Sequence, residues 1–341
     1  MEKLIGYEQE IKEDKILSIQ INLLNKCTSR CRSCRKYTWP NDILPIDTVK
    51  QIIIILQQNF GLRTIVFSGG DPVLYPNFGE LIQFCNKCYI KCSMITTGIT
   101  TNNDILSTMC NDMFRIHLSL DAISRDDYNY IRGVDAFEIV DNNIKLISEQ
   151  RKRKNMLPIR LSSTISKMNY MHTYELYKYA KENGCLINFY LVHTFDNLSM
   201  LEGDIDVFYN SLKHIVIDEN NGNIISNARS LLYDYEYGKE HKVCERCYIP
   251  NISCVINANG DVYPCCRVFK DNGFYGDQVE FAYGNICNKQ INEIIDIFNK
   301  RLHQVYPIQN NEECKECGQR YYEMIHHLVK VKENKQEVLF I

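Results

Sequence analysis

Three cysteines near the N-terminus have the residue type and spacing of a metal or cluster site. Cys27, Cys31 and Cys34 form a C-x3-C-x2-C pattern immediately after a predicted strand. Three thiolates on one tight loop suit a cubane iron–sulfur cluster, because they hold three irons and leave the fourth without a protein ligand. That iron could bind a substrate or cofactor, as the open position of a catalytic metal does. The alternative is zinc, although structural zinc sites are closed by four ligands.

The chain contains 16 cysteines, so the remaining ones also need an explanation. The N-terminal segment is charged and lacks the apolar core of a signal peptide, so we expect an unexported chain with reduced thiols. About half of the cysteines should be small buried side chains. Those assigned to this class include Cys110, Cys185 and Cys287. Cys85, Cys88 and Cys92 fall on a helix end and a strand start, and we interpret them as core or surface thiols.

Strands and helices alternate along the first 200 residues and would position the cysteine triplet. The predicted strands are 15–23, 64–69, 92–98, 114–121, 159–166 and 187–193. The predicted helices between them are 47–60, 77–87, 102–110, 136–149 and 171–183. Strict alternation predicts parallel strands with right-handed crossovers, in an open sheet or an incomplete barrel. In both architectures ligands bind beyond the carboxyl ends of the strands, where the triplet lies.

The alternation stops near residue 200. Residues 201–243 favour one or two helices with polar connections, and the rest of the chain is rich in cysteine. A hairpin is predicted within 253–266, where Asn259, Gly260 and Asp261 supply the turn. We therefore expect a barrel domain at 1–200, a helical linker at 201–243 and a small domain at 244–341.

Composition and charge exclude several classes of partner. The chain has 39 basic and 42 acidic residues, and its formal net charge is -3. A nucleic-acid polymer is therefore not indicated as a partner. The longest apolar run, Ile52 to Leu56, is far too short to span a bilayer. We expect a cytoplasmic protein with no membrane partner.

Motifs at the strand ends, together with the triplet, resemble the radical SAM superfamily. The second strand ends in SGGDP, similar to the family's GGEP, and the third ends in TTG, similar to TNG. The fourth continues as LSLDAISRDDYNYIRG, similar to the LSLDG…IRG stretch of the branch that carries auxiliary clusters. The resemblance implies a partial (β/α)6 barrel of the TIM type, whose open iron binds S-adenosylmethionine (SAM).

The same resemblance implies which residues contact SAM. The motif that receives the methionyl amino group corresponds to Gly69, Gly70, Asp71 and Pro72, and the TTG motif adds Thr97. Ser119 and Arg132 would hold the SAM carboxylate, for which a hydroxyl and a guanidinium are suited. An aromatic residue often precedes the third cysteine in the family, but here Ser33 does, so Tyr37 or Leu191 would contact adenine.

The cysteine-rich tail resembles an auxiliary-cluster domain. Cys247, Gly260 and Cys265 fit the C-x12-G-x4-C opening of the SPASM domain, and no cysteine follows Cys317, as in the shorter Twitch domain. The implied ligands of a second [4Fe–4S] cluster are Cys247, Cys265, Cys314 and Cys317, with Cys244 and Cys266 in reserve. A four-cysteine zinc site is the alternative, because zinc and iron–sulfur sites share tetrahedral thiolate ligands.

The implied chemistry is reductive cleavage of SAM to methionine and a 5′-deoxyadenosyl radical, with electrons from a flavodoxin or ferredoxin-type donor. The early position of Cys27 favours a small polar substrate, such as a sugar, aminocyclitol or modified nucleobase, over a peptide. Oxidation, epimerisation or bond cleavage would follow, with His117, Tyr190 and His193 as candidate catalytic residues. The alternatives are a maturase that forms thioethers or epimerises a peptide or protein side chain, and a non-catalytic Fe–S or zinc protein.

Overall fold

The computed structural model describes residues 9, 13, 15–34, 40–192, 198–237, 246–265, 282–303 and 306–307. The described residues divide into two compact units. The first unit combines those of Met1–Leu23, Asp42–Val66 and Tyr237–Ile341, and the second those of Leu24–Asn41 and Phe67–Glu236. No helix within these described ranges is both long and apolar enough to cross a membrane.

The strands and helices of the described ranges are numbered in chain order. The strands are β1 (Ser18–Leu24), β2 (Thr64–Gly69), β3 (Lys91–Thr96), β4 (Arg115–Ser119), β5 (Arg160–Ile165), β6 (Leu186–Leu191), β7 (Arg246–Cys247), β8 (Ser253–Ile256), β9 (Asp261–Tyr263), β10 (Gly284–Asn285) and β11 (Tyr306–Pro307). The helices are α1 (Ile46–Phe60), α2 (Phe78–Lys87), α3 (Asn103–Asn111), α4 (Arg125–Arg132), α5 (Phe137–Arg153), α6 (Thr173–Glu182), α7 (Glu202–Asn220), α8 (Ala228–Tyr237), α9 (Ile249–Ile252) and α10 (Ile291–Asn299).

In the first unit the strand order is β10, β9, β8, β1 and β2, and β2 enters the second unit at Phe67. Strands β1 and β8 run parallel, with Ser18 opposite Ser253, whereas β8, β9 and β10 pair antiparallel. Helix α1 packs the ring of Phe60 against Phe298 of α10, with centroids 6.0 Å apart. The first unit therefore joins the first strand of the chain to the cysteine-containing hairpin.

In the second unit β3, β4, β5 and β6 are parallel neighbours in chain order. Ser119 at the end of β4 lies opposite Ser162 of β5, and Thr164 of β5 lies opposite Tyr190 of β6. Along β4 and β5 fully buried residues alternate with partly exposed ones, because successive side chains point to opposite faces of a sheet. One face is thus the core under the helices, and the other carries the polar side chains.

The predicted α/β class with parallel strands is confirmed, and the predicted segments match β1 to β6 and α1 to α3, α5 and α6. The hairpin is confirmed as β8 and β9, joined by a turn in which Gly260 has φ 91°. Helix α4 was not predicted, because Tyr128 and Ile131 are the buried apolar residues in its otherwise polar sequence. Its start is capped by the Ser124 side chain, which accepts from the Asp127 N–H.

The two compact units divide the chain differently from the predicted segments 1–200, 201–243 and 244–341. Residues of β1 and α1 belong with the C-terminal part of the chain, because β8 pairs with β1 in parallel register. Residues 201–243 do contain helices, α7 and α8. The three-segment division itself stays a prediction.

Candidate active site

The loop after β1 carries the cysteine triplet in the second unit. Cys27, Cys31 and Cys34 are all partly exposed. Burial raises the pKa of the Cys27 thiol to about 11, and it also raises the pKa of Cys31, where the Arg132 guanidinium opposes the rise. Within the described ranges no three His, Cys, Asp or Glu side chains are close enough to hold a metal ion. The assignment of these sulfurs as ligands therefore depends on the chemistry of the donor set.

One end of this loop is bonded to the glycine motif that follows β2. The Gly70 N–H donates to the Leu24 carbonyl over 2.6 Å, and the Asp71 N–H donates to the Lys26 carbonyl over 2.9 Å. A Cβ added at Gly70 would lie 2.1 Å from the Lys26 carbonyl oxygen and 2.5 Å from that of Asn25. Only glycine allows the two backbones to approach this closely. The GGDP motif thus supports the cluster loop directly.

The middle of the loop is bonded to the C-terminus of α4. The Arg30 N–H donates to the Arg132 carbonyl over 2.9 Å, and the Arg32 N–H donates to the Ile131 carbonyl over 3.0 Å. Gly133 ends the helix with φ 64°, and a Cβ there would lie 2.6 Å from the Arg30 carbonyl oxygen. These bonds satisfy helix-terminal carbonyls that have no partner within the helix. The IRG motif therefore holds the middle of the loop, whereas the glycine motif after β2 holds its start.

Arg132 also contacts the triplet with its side chain. Its Nη1 lies 3.6 Å from the Cys31 sulfur, and its Nε lies 2.8 Å from Oδ2 of Asp121. Burial opposes the charged guanidinium, but Asp121 and Cys31 together raise its pKa, so Arg132 stays protonated. Asp121 was not singled out from the sequence, although it is the aspartate of the LSLD motif. The assignment of Arg132 to the SAM carboxylate stays a prediction.

Asp71 is buried, and both oxygens of its carboxylate accept hydrogen bonds from protein donors. Thr96 donates its hydroxyl to Oδ1 over 2.6 Å, and Thr97 donates both its hydroxyl and its N–H to Oδ2. The Val73 N–H completes the set, because Asp71 caps the short helix that starts at Pro72. Burial raises the pKa of Asp71 and these hydrogen bonds oppose the rise. The Asp71 carboxylate therefore joins the ends of β2 and β3. The SAM contacts assigned to Gly69, Asp71, Pro72 and Thr97 stay predictions.

The polar face of β4 to β6 carries the other predicted site residues. Ser119 and His117 are partly exposed, and Tyr190 is 39% exposed. Burial lowers the pKa of His117 to about 4, helped by the charges of Arg160 and Arg115, so His117 is neutral at neutral pH. Leu191, predicted to contact adenine, shares the strand face of Ile187 and Phe189. Tyr37 and His193 lie outside the described residues. The roles assigned to these three residues stay predictions.

Only two of the predicted ligands of the auxiliary cluster lie among the residues that the structure describes. Cys247 and Cys265 are half-buried in the first unit. The other candidates lie outside the described residues and are Cys314, Cys317, Cys244 and Cys266. Cys254, on β8, is fully buried, and burial raises its pKa to about 12.

The cysteines assigned to packing are mostly where expected. Cys110, Cys185, Cys85 and Cys92 are buried, and Cys88 is half-buried, which agrees with core or surface thiols. Cys287 differs, because it is half-buried rather than buried. It lies beside the turn glycine of the β8–β9 hairpin, where its sulfur would be 2.4 Å from a Cβ at position 260.

The residues present fit a cubane cluster and SAM. Three soft thiolate donors on one loop match the preference of iron–sulfur clusters and leave one iron open. The Ser29 hydroxyl, inside the loop, is buried and has no hydrogen-bond partner among the described residues. The missing side chain of Gly70 lets the backbone after β2 lie directly against this loop, because the Lys26 and Asn25 carbonyl oxygens occupy the space of a Cβ.

Comparisons with known proteins agree with this site. The profile of the radical SAM superfamily matches residues 21–165, and that of an iron–sulfur cluster-binding SPASM domain matches residues 244–318. A probable GTP 3′,8-cyclase of Saccharolobus islandicus is 25% identical over 169 residues, which cover 49% of this chain and 53% of that protein. The GTP 3′,8-cyclase of Chlorobaculum tepidum is 30% identical over 128 residues, covering 36% and 38%. The chain thus spans about half or less of the length of these curated relatives.

Solved structures share the fold. SuiB of Streptococcus suis bound to SAM matches with a TM-score of 0.64 and 15% identity, covering 84% of this chain and 68% of that one. The structure of anSMEcpe with bound SAM matches with a TM-score of 0.64 and 19% identity, covering 93% and 99%. At these identities the likeness shows the fold alone. Residues 21–165 thus match a radical SAM domain, which implies a [4Fe–4S] cluster and SAM as cofactors, and residues 244–318 match a SPASM-type iron–sulfur domain.

Proposed function

We propose that this chain is a radical SAM enzyme that removes hydrogen from a small polar substrate. The observation that carries the proposal is the support of the triplet loop. Backbone hydrogen bonds from Gly70 and Asp71 hold its start, and the carbonyls of Ile131 and Arg132 hold its middle. A ligand loop fixed in this way provides the precise geometry that a catalytic constellation requires.

The residues of the chain have separate roles in this proposal. When bound, the cluster and SAM supply the electron and the radical that breaks an unactivated C–H bond. Cys27, Cys31 and Cys34 hold the cluster through their thiolates. The backbone after β2, which Gly70 allows to lie against the triplet loop, receives the methionyl part of the cofactor. Ser119, partly exposed at the carboxyl end of β4, hydrogen-bonds the cofactor carboxylate.

The substrate class is inferred from the polar face of the second unit. The partly exposed or exposed residues on this face of β4, β5 and β6 are Ser119, Ser162, Thr164, Asn188 and Tyr190. Asn188 donates to the Tyr190 hydroxyl over 3.1 Å, so these groups already form hydrogen bonds with one another. Hydroxyl and amide groups of this kind recognise the hydroxyls and ring nitrogens of a sugar, aminocyclitol or nucleobase. Relatives named for a reaction of GTP support a small molecule over a peptide.

His117 would act on the substrate as a neutral imidazole. Its pKa of about 4 means that it carries no charge at neutral pH, because it is largely buried and lies near two arginines. A neutral imidazole can donate one hydrogen bond and accept another. We therefore propose that His117 orients a polar group of the substrate. Tyr190, which is more exposed, contacts the substrate at the open edge of this face.

Electrons would come from a flavodoxin or ferredoxin-type donor in the cytoplasm, where reduced thiols keep the cysteines available. The SPASM-type domain would carry one further cluster on Cys247, Cys265, Cys314 and Cys317. That cluster would accept an electron from the substrate, return one, or bind substrate. Zinc at this site is the competing assignment.

Isotope transfer tests the substrate class. The full chain would be reconstituted anaerobically with iron and sulfide, reduced with dithionite and given SAM with deuterated sugars, aminocyclitols or nucleosides. Deuterium in the released 5′-deoxyadenosine identifies the substrate class. Transfer only from a peptide would contradict the small-molecule proposal and support a maturase. Ser119→Ala should raise the KM for SAM about tenfold, corresponding to one lost charged hydrogen bond. The matched control Ser211→Ala, at a partly exposed helix position, should not.

A further inference from the structure

We propose that Arg132 raises the reduction potential of the cluster on Cys27, Cys31 and Cys34, by donating a charge-assisted hydrogen bond to the Cys31 sulfur while Asp121 holds the guanidinium in place. The inference rests on the proposed function, because it requires a cluster on this loop. Its geometric basis is a guanidinium with Nη1 3.6 Å from the Cys31 sulfur and Nε 2.8 Å from the Asp121 carboxylate. Arg132 is thus a positioning residue that acts through a cluster ligand.

Asp121 is itself fixed from two sides. Its Oδ1 accepts from the Thr164 N–H of β5 over 2.7 Å, and its carbonyl accepts from the Asn169 side chain over 2.9 Å. The side chains of Arg132 and Asp121 are 8% and 3% exposed, so water does not weaken the pair as it does at a surface. The guanidinium therefore cannot swing away from Cys31 without breaking a buried ion pair.

The backbone of α4 holds the same loop that its side chain contacts. The carbonyls of Ile131 and Arg132 accept from the N–H groups of Arg32 and Arg30, the residues on either side of Cys31. Cys31 therefore sits between two backbone bonds to the helix that carries Arg132. Both the backbone and the side chain of Arg132 are therefore fixed relative to Cys31.

Tyr128 adds a second donor on the same helix. It lies one turn before Arg132, its ring is fully buried, and its hydroxyl has no hydrogen-bond partner among the described residues. Burial raises its pKa to about 12, and the charges of Arg132, Cys31 and Asp121 also act on it. A buried hydroxyl without a partner is costly, unless a group that it can bond is supplied on that side. Sulfur atoms of a cluster on this loop would be such acceptors.

The direction of the effect follows from charge. Reduction adds one negative charge to the cluster, and a positive charge or hydrogen bond at a ligand sulfur stabilises the reduced form. Arg132 should therefore raise the potential. Asp121 partly neutralises Arg132 and should lower it. If Arg132 and Asp121 only supported the fold, mutation of either residue would admit water to the cluster and shift its potential in the same direction.

The test is an anaerobic redox titration of the reconstituted full chain, followed by EPR, using the signal that changes on addition of SAM. Arg132→Gln should make one-electron reduction about tenfold less favourable, equivalent to a potential about 59 mV more negative. Asp121→Asn should shift the potential in the opposite direction. Tyr128→Phe should lower it by a smaller amount. Arg125→Gln is the matched control, because Arg125 lies on the same helix in an exposed pair with Asp135, and it should leave the potential unchanged.

Iron content separates the possible outcomes. Variants with full iron and an unchanged potential would overturn the proposal, and so would a shift of Arg132→Gln and Asp121→Asn in the same direction. If those two variants fail to hold the cluster, Tyr128→Phe decides, and an unshifted potential with full iron contradicts the inference. A wild-type chain without a SAM-responsive cluster would instead refute the proposed function.

Discussion

Asp71 and Thr97 connect the ends of two neighbouring motifs through two hydrogen bonds to a single carboxylate oxygen. The Thr97 N–H lies 3.2 Å from Oδ2 of Asp71, and the Thr97 hydroxyl donates to the same atom. Thr96 donates to the other oxygen. Asp71 belongs to the SGGDP motif and Thr97 to the TTG motif, so the two strand ends predicted to contact SAM are held together by a buried carboxylate.

Asp71→Asn should therefore destabilise the protein and loosen SAM binding. An amide has one acceptor oxygen and presents an NH2 group to the Thr96 or Thr97 donors, so at least one buried donor loses its partner. We expect a loss of about 2 kcal/mol in the free energy of unfolding, measured by anaerobic denaturation. Asp126→Asn, at an exposed carboxylate, should change stability by less than about 0.5 kcal/mol. Equal stability of both variants would contradict this account.

Gly70→Ala should disrupt the triplet loop. Its new Cβ would lie 2.1 Å from the Lys26 carbonyl oxygen, which is backbone and cannot rotate away. We expect a loss of about 3 kcal/mol or more in stability, together with a lower iron content after reconstitution. Gly203→Ala is the matched control, because a Cβ there meets nothing within 4 Å. Wild-type iron content and thermal stability in Gly70→Ala would show that the backbone contact is not required.

His117 should make the protein less stable as the pH falls. Its pKa is about 4 in the folded state and 6.5 in the absence of that environment, so the unfolded chain binds the proton first. Stability is then complete above pH 6.5 and is lost as the pH falls towards 4. Between about pH 7.5 and pH 5.5 the loss attributable to this residue should be about 1 kcal/mol. His117→Gln should remove that part of the dependence, and an unchanged dependence in this variant would contradict the account.

Iron and sulfide counts test the second cluster. The wild-type full chain should bind about eight of each per chain, since each cubane contains four. Cys247→Ala should reduce both counts to about four and keep the SAM-responsive EPR signal of the first cluster. Cys185→Ala removes a buried thiol outside the proposed ligand sets and should leave the counts unchanged. Bound zinc in the wild-type chain, together with about four irons, would contradict the auxiliary cluster and indicate a zinc site instead.

The alternation of strands and helices could be predicted because it depends on local periodicity. Buried residues of β4 and β5 alternate with exposed ones, and the C-x3-C-x2-C spacing is visible without any structure. The pairing of β8 with β1 could not be predicted in the same way, because Ile19 and Cys254 are joined across most of the chain. Local sequence carries no signal for such a partner.

The hydrogen bonds and the ion pair that connect the site residues could not be predicted from the sequence either. Arg132 was assigned to the SAM carboxylate from the IRG motif, which stays a prediction, and its contacts with Asp121 and Cys31 could not be foreseen from that motif. Asn143 was missed entirely, although its side chain donates to the carbonyls of Gly98 and Thr100 and so fixes the loop after the TTG motif. Both arrangements depend on where helices dock, which residue type alone does not determine.

The central claim, that Cys27, Cys31 and Cys34 hold the cluster that activates SAM, is tested most directly by SAM cleavage. The reconstituted full chain, reduced with dithionite under anaerobic conditions, should release 5′-deoxyadenosine from SAM. Cys31→Ala should release none above background, because the site loses a thiolate ligand. Cys88→Ala, at a half-buried cysteine outside the loop, should retain wild-type release. Undiminished 5′-deoxyadenosine from Cys31→Ala, or none from the wild type with its iron bound, would contradict the claim.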